Sequence, residues 1–214
     1  LSATFVSLLK TSCKSPSVVV RQVTESGDRR SRYIIENIFL PVYEQYTRLL
    51  KSRDQIDFTD AIIWATDICN QDHLLEYDYI IVDEFQDISI DRYNFLKALR
   101  GVERPAKLYC VGDDWQSIYR FSGSDMALFN QFPEYFGLTE INRIETTYRF
   151  GEPTVSLSAQ FIQRNGIQFK KNIHPYSDKI RTDLEFYAYR KEGYGTLVRN
   201  LVDRIPSDKS IFLL

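Results

Sequence analysis

Apolar residues recur at helical spacing through most of the first third of the chain. Phe5, Leu8 and Leu9 share one face of a helix predicted over residues 2–15. Val18 to Val20 is a β-branched run compatible with a strand or a buried helix. Ser26-Gly27-Asp28 breaks the pattern. Ile34, Ile38, Val42, Tyr46 and Leu49 resume it, with Pro41 placed to kink or restart the helix. Another helix runs through Ile62, Ile63, Ala65 and Ile68, with Asp57 or Thr59 as its cap. The pattern then changes. Tyr79-Ile80-Ile81-Val82 is an unbroken apolar run, which predicts a short, fully buried strand. Asp87 or Ser89 caps the next helix, which carries Tyr93, Leu96 and Leu99 on one face and ends before Gly101. Pro105 opens a second strand that reaches Val111. Strand, helix and strand with a short return predict a βαβ unit and a parallel sheet. Farther on, Glu140 to Glu145 reads as a strand and hinge, 151–164 as helix, Leu184 to Tyr189 as strand, Gly195 to Val202 as helix and Ile211 onward as strand.

Composition narrows the class. The chain has 214 residues, 43% hydrophobic and 14% aromatic, which is globular rather than disordered. No stretch is long or apolar enough to span a bilayer. Cys13, Cys69 and Cys110 are widely spaced and form no metal set, so they are expected to be small buried hydrophobes in a reducing, cytoplasmic setting. His73 and His174 have no ligand partner nearby in sequence.

The net charge of −2 argues against nucleic acid when taken alone. Its distribution along the chain points the other way. Residues 1–54 carry nine Lys/Arg against five Asp/Glu, a net of +4. Residues 55–142 carry six against sixteen, a net of −10. Residues 143–214 carry twelve against eight, a net of +4. Basic flanks around an acidic middle suit a phosphate backbone lying across a metal site.

The chemistry concentrates after the first strand. It ends in Asp83-Glu84, two carboxylates at the mouth of a parallel sheet. Mg²⁺ keeps most of its waters and takes one or two carboxylates. Asp83 can supply that contact while Glu84 orients a water for attack on a phosphate. The second strand leads into Val111-Gly112-Asp113-Asp114-Trp115-Gln116-Ser117-Ile118-Tyr119-Arg120-Phe121-Ser122-Gly123, and Thr146-Thr147-Tyr148-Arg149-Phe150 follows one supersecondary unit later.

These segments resemble the Walker B motif, motif III and motif IV of the superfamily 1 UvrD/Rep-type DNA helicases, and their wording is similar to the helicase IV branch. Ile56-Asp57-Phe58-Thr59-Asp60-Ala61-Ile62 resembles the segment that precedes Walker B there. The likeness is specific over residues 56–150. It implies an α/β, RecA-like P-loop NTPase fold with a helical insertion. Residues 1–54 would be the insertion region, 55–142 the later part of the first lobe, and 143–214 the start of the second. None of the nine glycines is followed by Lys, so the G-x-x-x-x-G-K-[ST] loop that cradles phosphates is not here. That gap makes the chain read as an internal fragment whose N- and C-terminal parts lie elsewhere on the same polypeptide.

The resemblance also implies roles, with ATP and Mg²⁺ as cofactors and single-stranded DNA and duplex junctions as partners. Asp83 holds Mg²⁺ largely through water, and Glu84 is the catalytic base. Gln116 senses the γ-phosphate. Arg149 reaches that phosphate when two lobes close, because its planar fork holds phosphoryl charge in bidentate fashion. Tyr148 stacks on adenine. Tyr119 and Phe121 form an aromatic platform for single-stranded DNA. Phe121 stands where the family often has Trp, and Ser122 stands where the family often has an Arg that couples nucleotide to DNA. Trp115 replaces what is often Asp or Ala and is expected to pack. Function would then be ATP-driven translocation on single-stranded DNA with duplex unwinding, 3′ to 5′ by family habit. The rival readings are a catalytically inactive DNA-binding scaffold and the motor part of a helicase-nuclease.

Overall fold

The computed structural model describes residues 2–72, 77–102, 105–119, 121, 123–166, 168–177, 185–188, 190 and 193–210. They form two compact units. One holds residues 1–143 and 162–170, the other residues 144–161 and 171–214.

The first unit opens with helices α1 (Ser2–Thr11), α2 (Pro16–Glu25), α3 (Arg29–Ile34), α4 (Leu40–Ser52) and α5 (Phe58–Asp72). The helix predicted over 2–15 stops at Thr11, and Cys13 follows with a left-handed φ of 52°. Cys13 is exposed, against the expectation of a buried thiol. Val18 to Val20 resolves as helix, and half-buried rather than buried, because α2 presents one apolar stripe and leaves the rest to solvent. Between α3 and α4 the helix widens into a π-turn over Ile35–Phe39, closed by the Leu40 amide on the Ile35 carbonyl. The next residue, Pro41, has no N–H to continue the regular ladder, which explains the irregularity at this point.

Asp57, not Thr59, caps α5. The Asp60 amide donates to Asp57 Oδ1 at 2.9 Å, and Asp60 Oδ2 accepts the Asp57 amide at 3.3 Å, a reciprocal capping box. Lys10 of α1 reaches the same pair, with Nζ 2.6 Å from Asp57 Oδ2 and 2.6 Å from Asp60 Oδ1. The Tyr46 hydroxyl of α4 donates to Asp57 Oδ2 at 2.9 Å. One buried ammonium thus ties α1 to the start of α5, and Tyr46 adds α4. Burial alone pulls the Lys10 pKa down, but its bonds to Asp57 and Asp60 outweigh that and hold it above the usual lysine value. Burial pushes the Asp57 carboxyl up, while Lys10, the Asp60 amide and Tyr46 bring it below the usual aspartate value.

The βαβ unit is present. Strand β1 (Tyr79–Val82), helix α6 (Ile90–Arg100) and strand β2 (Lys107–Cys110) follow in order. The strands pair in parallel with Tyr79 opposite Lys107 and Val82 opposite Cys110. Ser89 occupies the N-cap position of α6, and Gly101, at φ 73°, ends the helix. Arg100 then pins both neighbours, donating to the Ala106 carbonyl at 3.1 Å and to the Phe136 carbonyl at 3.0 Å.

The strands are not fully buried. Val82, Leu108 and Cys110 face the core, while Ile81 is 74% exposed and Tyr79 and Tyr109 are each 64% exposed. A parallel strand is buried on both faces only where helices cover both. Here the described elements cover one.

That core gathers on Phe85, Ile88, Leu128 and Phe136, with Tyr93 and Leu96 of α6 packed around it. Short helices α7 (Met126–Asn130) and α8 (Phe132–Phe136) supply the other wall. Phe85 is 1% exposed and its ring meets those of Phe129, Phe132 and Phe136 at 6.3, 5.3 and 6.0 Å.

The second unit carries β3 (Thr146–Thr147) and β4 (His174–Pro175), paired in parallel, and helices α9 (Thr154–Ile162) and α10 (Tyr194–Asp203). Its strands are shorter and placed differently from expectation. Residues 140–145 are irregular, and only Thr146–Thr147 pairs. Residues 185–188 are not strand. The ends of that expected strand, Leu184 and Tyr189, lie outside the described residues, as do His73, Ser122 and the expected strand from Ile211. Among the described residues, no helix is long and apolar enough to cross a membrane.

Candidate functional site

The site grows from the ends of β1 and β2. Past the last paired residues, the Val111 amide still donates to the Val82 carbonyl at 2.9 Å, and the Phe85 amide to the Val111 carbonyl at 2.8 Å. Asp83 and Glu84 are therefore held between two backbone bonds, at the carboxyl end of a parallel pair. Open α/β sheets bind ligands at this end. Phe85 adds an anchor from below. A fully buried Phe side chain contributes about 1.5–3 kcal/mol, and here it fixes the two residues before it.

Glu84 sits in the left-handed region, φ 51° and ψ 41°. That conformation costs a non-glycine residue about 1–2 kcal/mol. Two bonds offset it: the Glu84 amide donates to Asp83 Oδ1 at 2.9 Å, and the Gln86 amide group donates to Glu84 Oε2 at 2.7 Å. Both carboxylates remain exposed to solvent. Nearby, burial first and then the Glu84 charge raise the Asp87 carboxyl above its usual value, against the pull of Arg92.

Gln86 is the residue the sequence did not single out. It is 2% exposed, and its Oε1 accepts the Asp113 amide at 2.9 Å. The adjoining Gly112 explains the closeness. A β-carbon there would stand 2.7 Å from Gln86 Oε1 and 2.7 Å from the Phe129 ring. Only glycine lets the β2 end approach this tightly. Asp113 then caps the turn Asp114–Gln116, accepting the Trp115 amide at 3.1 Å on Oδ1 and the Gln116 side-chain amide at 2.7 Å on Oδ2. Glu84, Gln86, Asp113 and Gln116 thus form one continuous hydrogen-bonded chain.

Asp114 and Trp115 act in the opposite direction. Asp114 is fully buried, and its Oδ2 accepts the Phe169 amide at 2.6 Å. Its carbonyl accepts the Gln168 side-chain amide at 3.1 Å. The Trp115 indole donates to the Phe169 carbonyl at 3.0 Å. Trp115 is therefore a tether for the 168–169 backbone as well as a packing residue.

Beyond the turn, Tyr119 and Phe121 present two exposed rings, 47% and 65% accessible, with centroids 6.0 Å apart and planes tilted by 51°. Their loop is anchored at Gly123. Its φ of +98° suits glycine, and a β-carbon there would collide with Thr11 of α1. The Asp125 amide donates to the Ile88 carbonyl at 2.8 Å, which ties the end of this loop to the chain after Glu84.

Tyr148 and Arg149 belong to the second unit. Both are exposed. The Tyr148 ring lies 4.5 Å from that of Tyr176, with the planes tilted by 30°. The Thr147–Pro175 register places the two rings side by side. The Arg149 amide donates to Thr147 Oγ1 at 3.3 Å. Tyr176 escaped sequence reasoning because its partner lies 28 positions away and only the β3–β4 pairing joins them.

The donor set fits a hard cation without caging one. Among the described residues, no three His, Cys, Asp or Glu side chains gather into a metal site. Asp83 would hold Mg²⁺ mainly through water and the phosphates of a nucleotide, as that ion prefers.

Residues 5–137, more than half of the chain, match the family model of the UvrD/REP helicase N-terminal domain. DNA helicase IV of Escherichia coli (strain K12) is 39% identical over 138 residues, covering 64% of this chain and 20% of that protein. DNA helicase II of Rickettsia typhi is 30% identical over 138 residues, covering 62% of this chain and 21% of that protein. The ATP-dependent DNA helicase UvrD1 of Mycobacterium tuberculosis (strain H37Rv) is 27% identical over 222 residues, covering 99% of this chain and 28% of that protein. The chain spans between about a fifth and just over a quarter of the length of these relatives. On its motifs, its strand-end site and these matches, the chain belongs to the UvrD/Rep family of helicases.

Proposed function

We propose that this chain is the Walker B to motif IV part of an ATP-dependent DNA helicase, which couples ATP hydrolysis to translocation along single-stranded DNA and unwinding of duplex junctions, with 3′ to 5′ polarity. Residues 55–142 belong to a first RecA-like lobe and 143–214 to the start of a second, with 1–54 as a helical insertion. The observation that carries this reading is the junction of Asp83-Glu84 with the Gln116 turn at the ends of two paired parallel strands. It joins Asp83, Glu84 and Gln116, the residues that this reading makes metal contact, base and sensor, on one hydrogen-bonded support.

In this reading Mg²⁺-ATP supplies the scissile phosphoanhydride. Asp83 would hold Mg²⁺ largely through its water shell, and the ion would neutralise phosphate charge. Glu84 accepts the proton of the attacking water. Gln116 bonds the γ-phosphate or that water. Arg149 contributes the bidentate fork for developing phosphoryl charge. Tyr148 stacks on the adenine, and Tyr119 with Phe121 stacks on bases of the single strand without sequence preference.

The test is phosphate release by the intact gene product with and without single-stranded DNA, followed by unwinding of duplexes with 3′ or 5′ tails. DNA-stimulated hydrolysis cut about 10²–10⁴-fold by Glu84→Gln, the usual worth of a general base, is expected. Hydrolysis that ignores DNA, or is unchanged by Glu84→Gln, would sink the proposal. Residues 1–214 alone, having no phosphate-cradling G-x-x-x-x-G-K-[ST] loop, should turn over ATP negligibly.

A further inference from the structure

We infer that Gln86 is a positioning residue that sets the Glu84 carboxylate and the Gln116 sensor in one fixed relation; this rests on the nucleotide-hydrolysis reading above. Burial makes the first demand. A primary amide at 2% exposure must satisfy both of its ends or lose stability. Gln86 does so with two partners from different segments. Its nitrogen donates to Glu84 Oε2 at 2.7 Å, and its oxygen accepts the Asp113 amide at 2.9 Å. The polarity of the amide fixes the order. Only the NH₂ end can face a carboxylate, and only the oxygen can face an N–H. Asp113 then carries the link onward, holding the Gln116 amide at 2.7 Å.

Two further features make the link stiff. Gly112 lets the end of β2 close directly onto the Gln86 amide, where an added β-carbon would stand 2.7 Å from Gln86 Oε1. Phe85 beside it is sealed in the core, so the backbone cannot follow a moving side chain. Glu84 therefore has one oxygen committed to the protein, and its strained left-handed backbone is held by that bond. The consequence is chemical. A base whose rotamer is set before substrate arrives costs no reorganisation at the reaction, and a sensor on the same rod moves with it. Gln86 is 2% exposed and bonded at both ends, so its effect passes through Glu84 and Asp113.

Gln86→Glu isolates the link to Glu84. It keeps the size and the acceptor for the Asp113 amide, and replaces the donor to Glu84 by an oxygen. In the intact gene product, kcat for DNA-stimulated ATP hydrolysis should fall about 10- to 100-fold, the usual cost of losing a group that orients a reacting one. The KM for ATP and the affinity for a fluorescent ATP analogue should stay near the parent values, while the melting temperature falls because a buried carboxyl now faces Glu84. The decisive reading is a double-mutant cycle with Glu84→Gln under single-turnover conditions. If Gln86 acts through Glu84, adding Gln86→Glu to Glu84→Gln should cost less than about twofold. Equal losses in both backgrounds, or nucleotide affinity falling in step with kcat, would assign Gln86 to general packing and overturn the inference. An unchanged kcat would also overturn it. Should Gln86→Glu fail to fold, Gln86→Met read in the same cycle decides by the same criteria. A parent protein with no DNA-stimulated hydrolysis would remove the functional reading and the inference together, whereas an active parent with an additive cycle removes the inference alone.

Discussion

Glu84 and Arg149 make an instructive pair, because the chain supports them so differently. Glu84 stands on a parallel strand pair, above a buried phenylalanine, with its carboxylate held by a buried amide. Arg149 stands just past a two-residue strand, exposed, with its amide on the Thr147 hydroxyl at 3.3 Å. The first region is preorganised by packing within its own unit, residues 168–169 included. The second has little packing of its own, and its aromatic neighbours Tyr148 and Tyr176 are 66% and 64% exposed. Preorganised support and catalytic importance need not coincide. A residue can be decisive in the transition state while contributing almost nothing to the fold.

Arg149→Ala separates the two most sharply. In the intact gene product it should cut ATP turnover by roughly 10³–10⁵, the usual worth of an arginine on transferring phosphoryl charge. The melting temperature of the protein should barely move, because the side chain is exposed. Turnover and calorimetry on the same sample check this. A large loss of stability would mean that the second region relies on Arg149 for its fold.

Phe85→Ala is the mirror experiment. It should cost about 3–5 kcal/mol of unfolding free energy, as large-to-small changes in tight aromatic cores do. Urea unfolding measures it. Turnover should fall too, because Phe85 anchors Asp83 and Glu84. A mild effect, under about 1 kcal/mol, would break the claim that the core under Phe85 fixes the site.

The contrast also explains what could be read from sequence. The βαβ unit was legible because its signals are local: an apolar run, a helix with Gly101 past its end, and Pro105 before the second strand. The exposure of Tyr79, Ile81 and Tyr109 was not, because an unbroken apolar run carries no period to say which face is covered. Asp83, Glu84 and Gln116 stood out as polar residues at strand ends. Gln86 did not, since its burial depends on Gly112, 26 positions later, having no side chain. Trp115 has its partner 54 positions away, so its hydrogen bond to Phe169 has no local signature. Long-range partners of single side chains are what the pattern of a chain cannot display.

Lys10→Met probes the first region away from the site. Lys10 is the cation between Asp57 and Asp60, with its side chain 7% exposed. Removing it should cost about 1–3 kcal/mol, the range for stranding a partly buried polar partner. The pH dependence gives the sign. The folded Lys10 pKa is raised, so its contribution is complete below about 10.4, the ordinary lysine value, and drains away as pH climbs through the folded pKa. The folded Asp57 pKa is lowered, so its contribution is complete above about 3.9, the ordinary aspartate value, and drains as pH falls through the folded pKa. The gap between parent and variant in urea midpoint should therefore be widest near neutrality and close at both extremes. A gap that stayed constant into strong alkali would show that Lys10 acts through its methylenes rather than its charge.

Phe121→Ala carries the smallest expected effect and resolves the contrast most finely. Like Arg149, Phe121 is exposed, at 65%, yet it lies in the well-packed unit and its loop is pinned at Gly123 against α1. If exposure on a rigid support marks a binding surface, the loss should appear in DNA affinity and not in folding. Single-strand binding should weaken by about 1–3 kcal/mol, the worth of one base–aromatic stack. Tyr119, its centroid 6.0 Å away, would keep part of the platform, which favours the lower end of that range. DNA-stimulated turnover should fall more than basal turnover, because only the former requires the strand. Fluorescence anisotropy with a short oligonucleotide, alongside thermal melting, reads both quantities. Unchanged DNA affinity with a lowered melting temperature would make Phe121 a packing residue and take the more exposed ring from the proposed DNA platform.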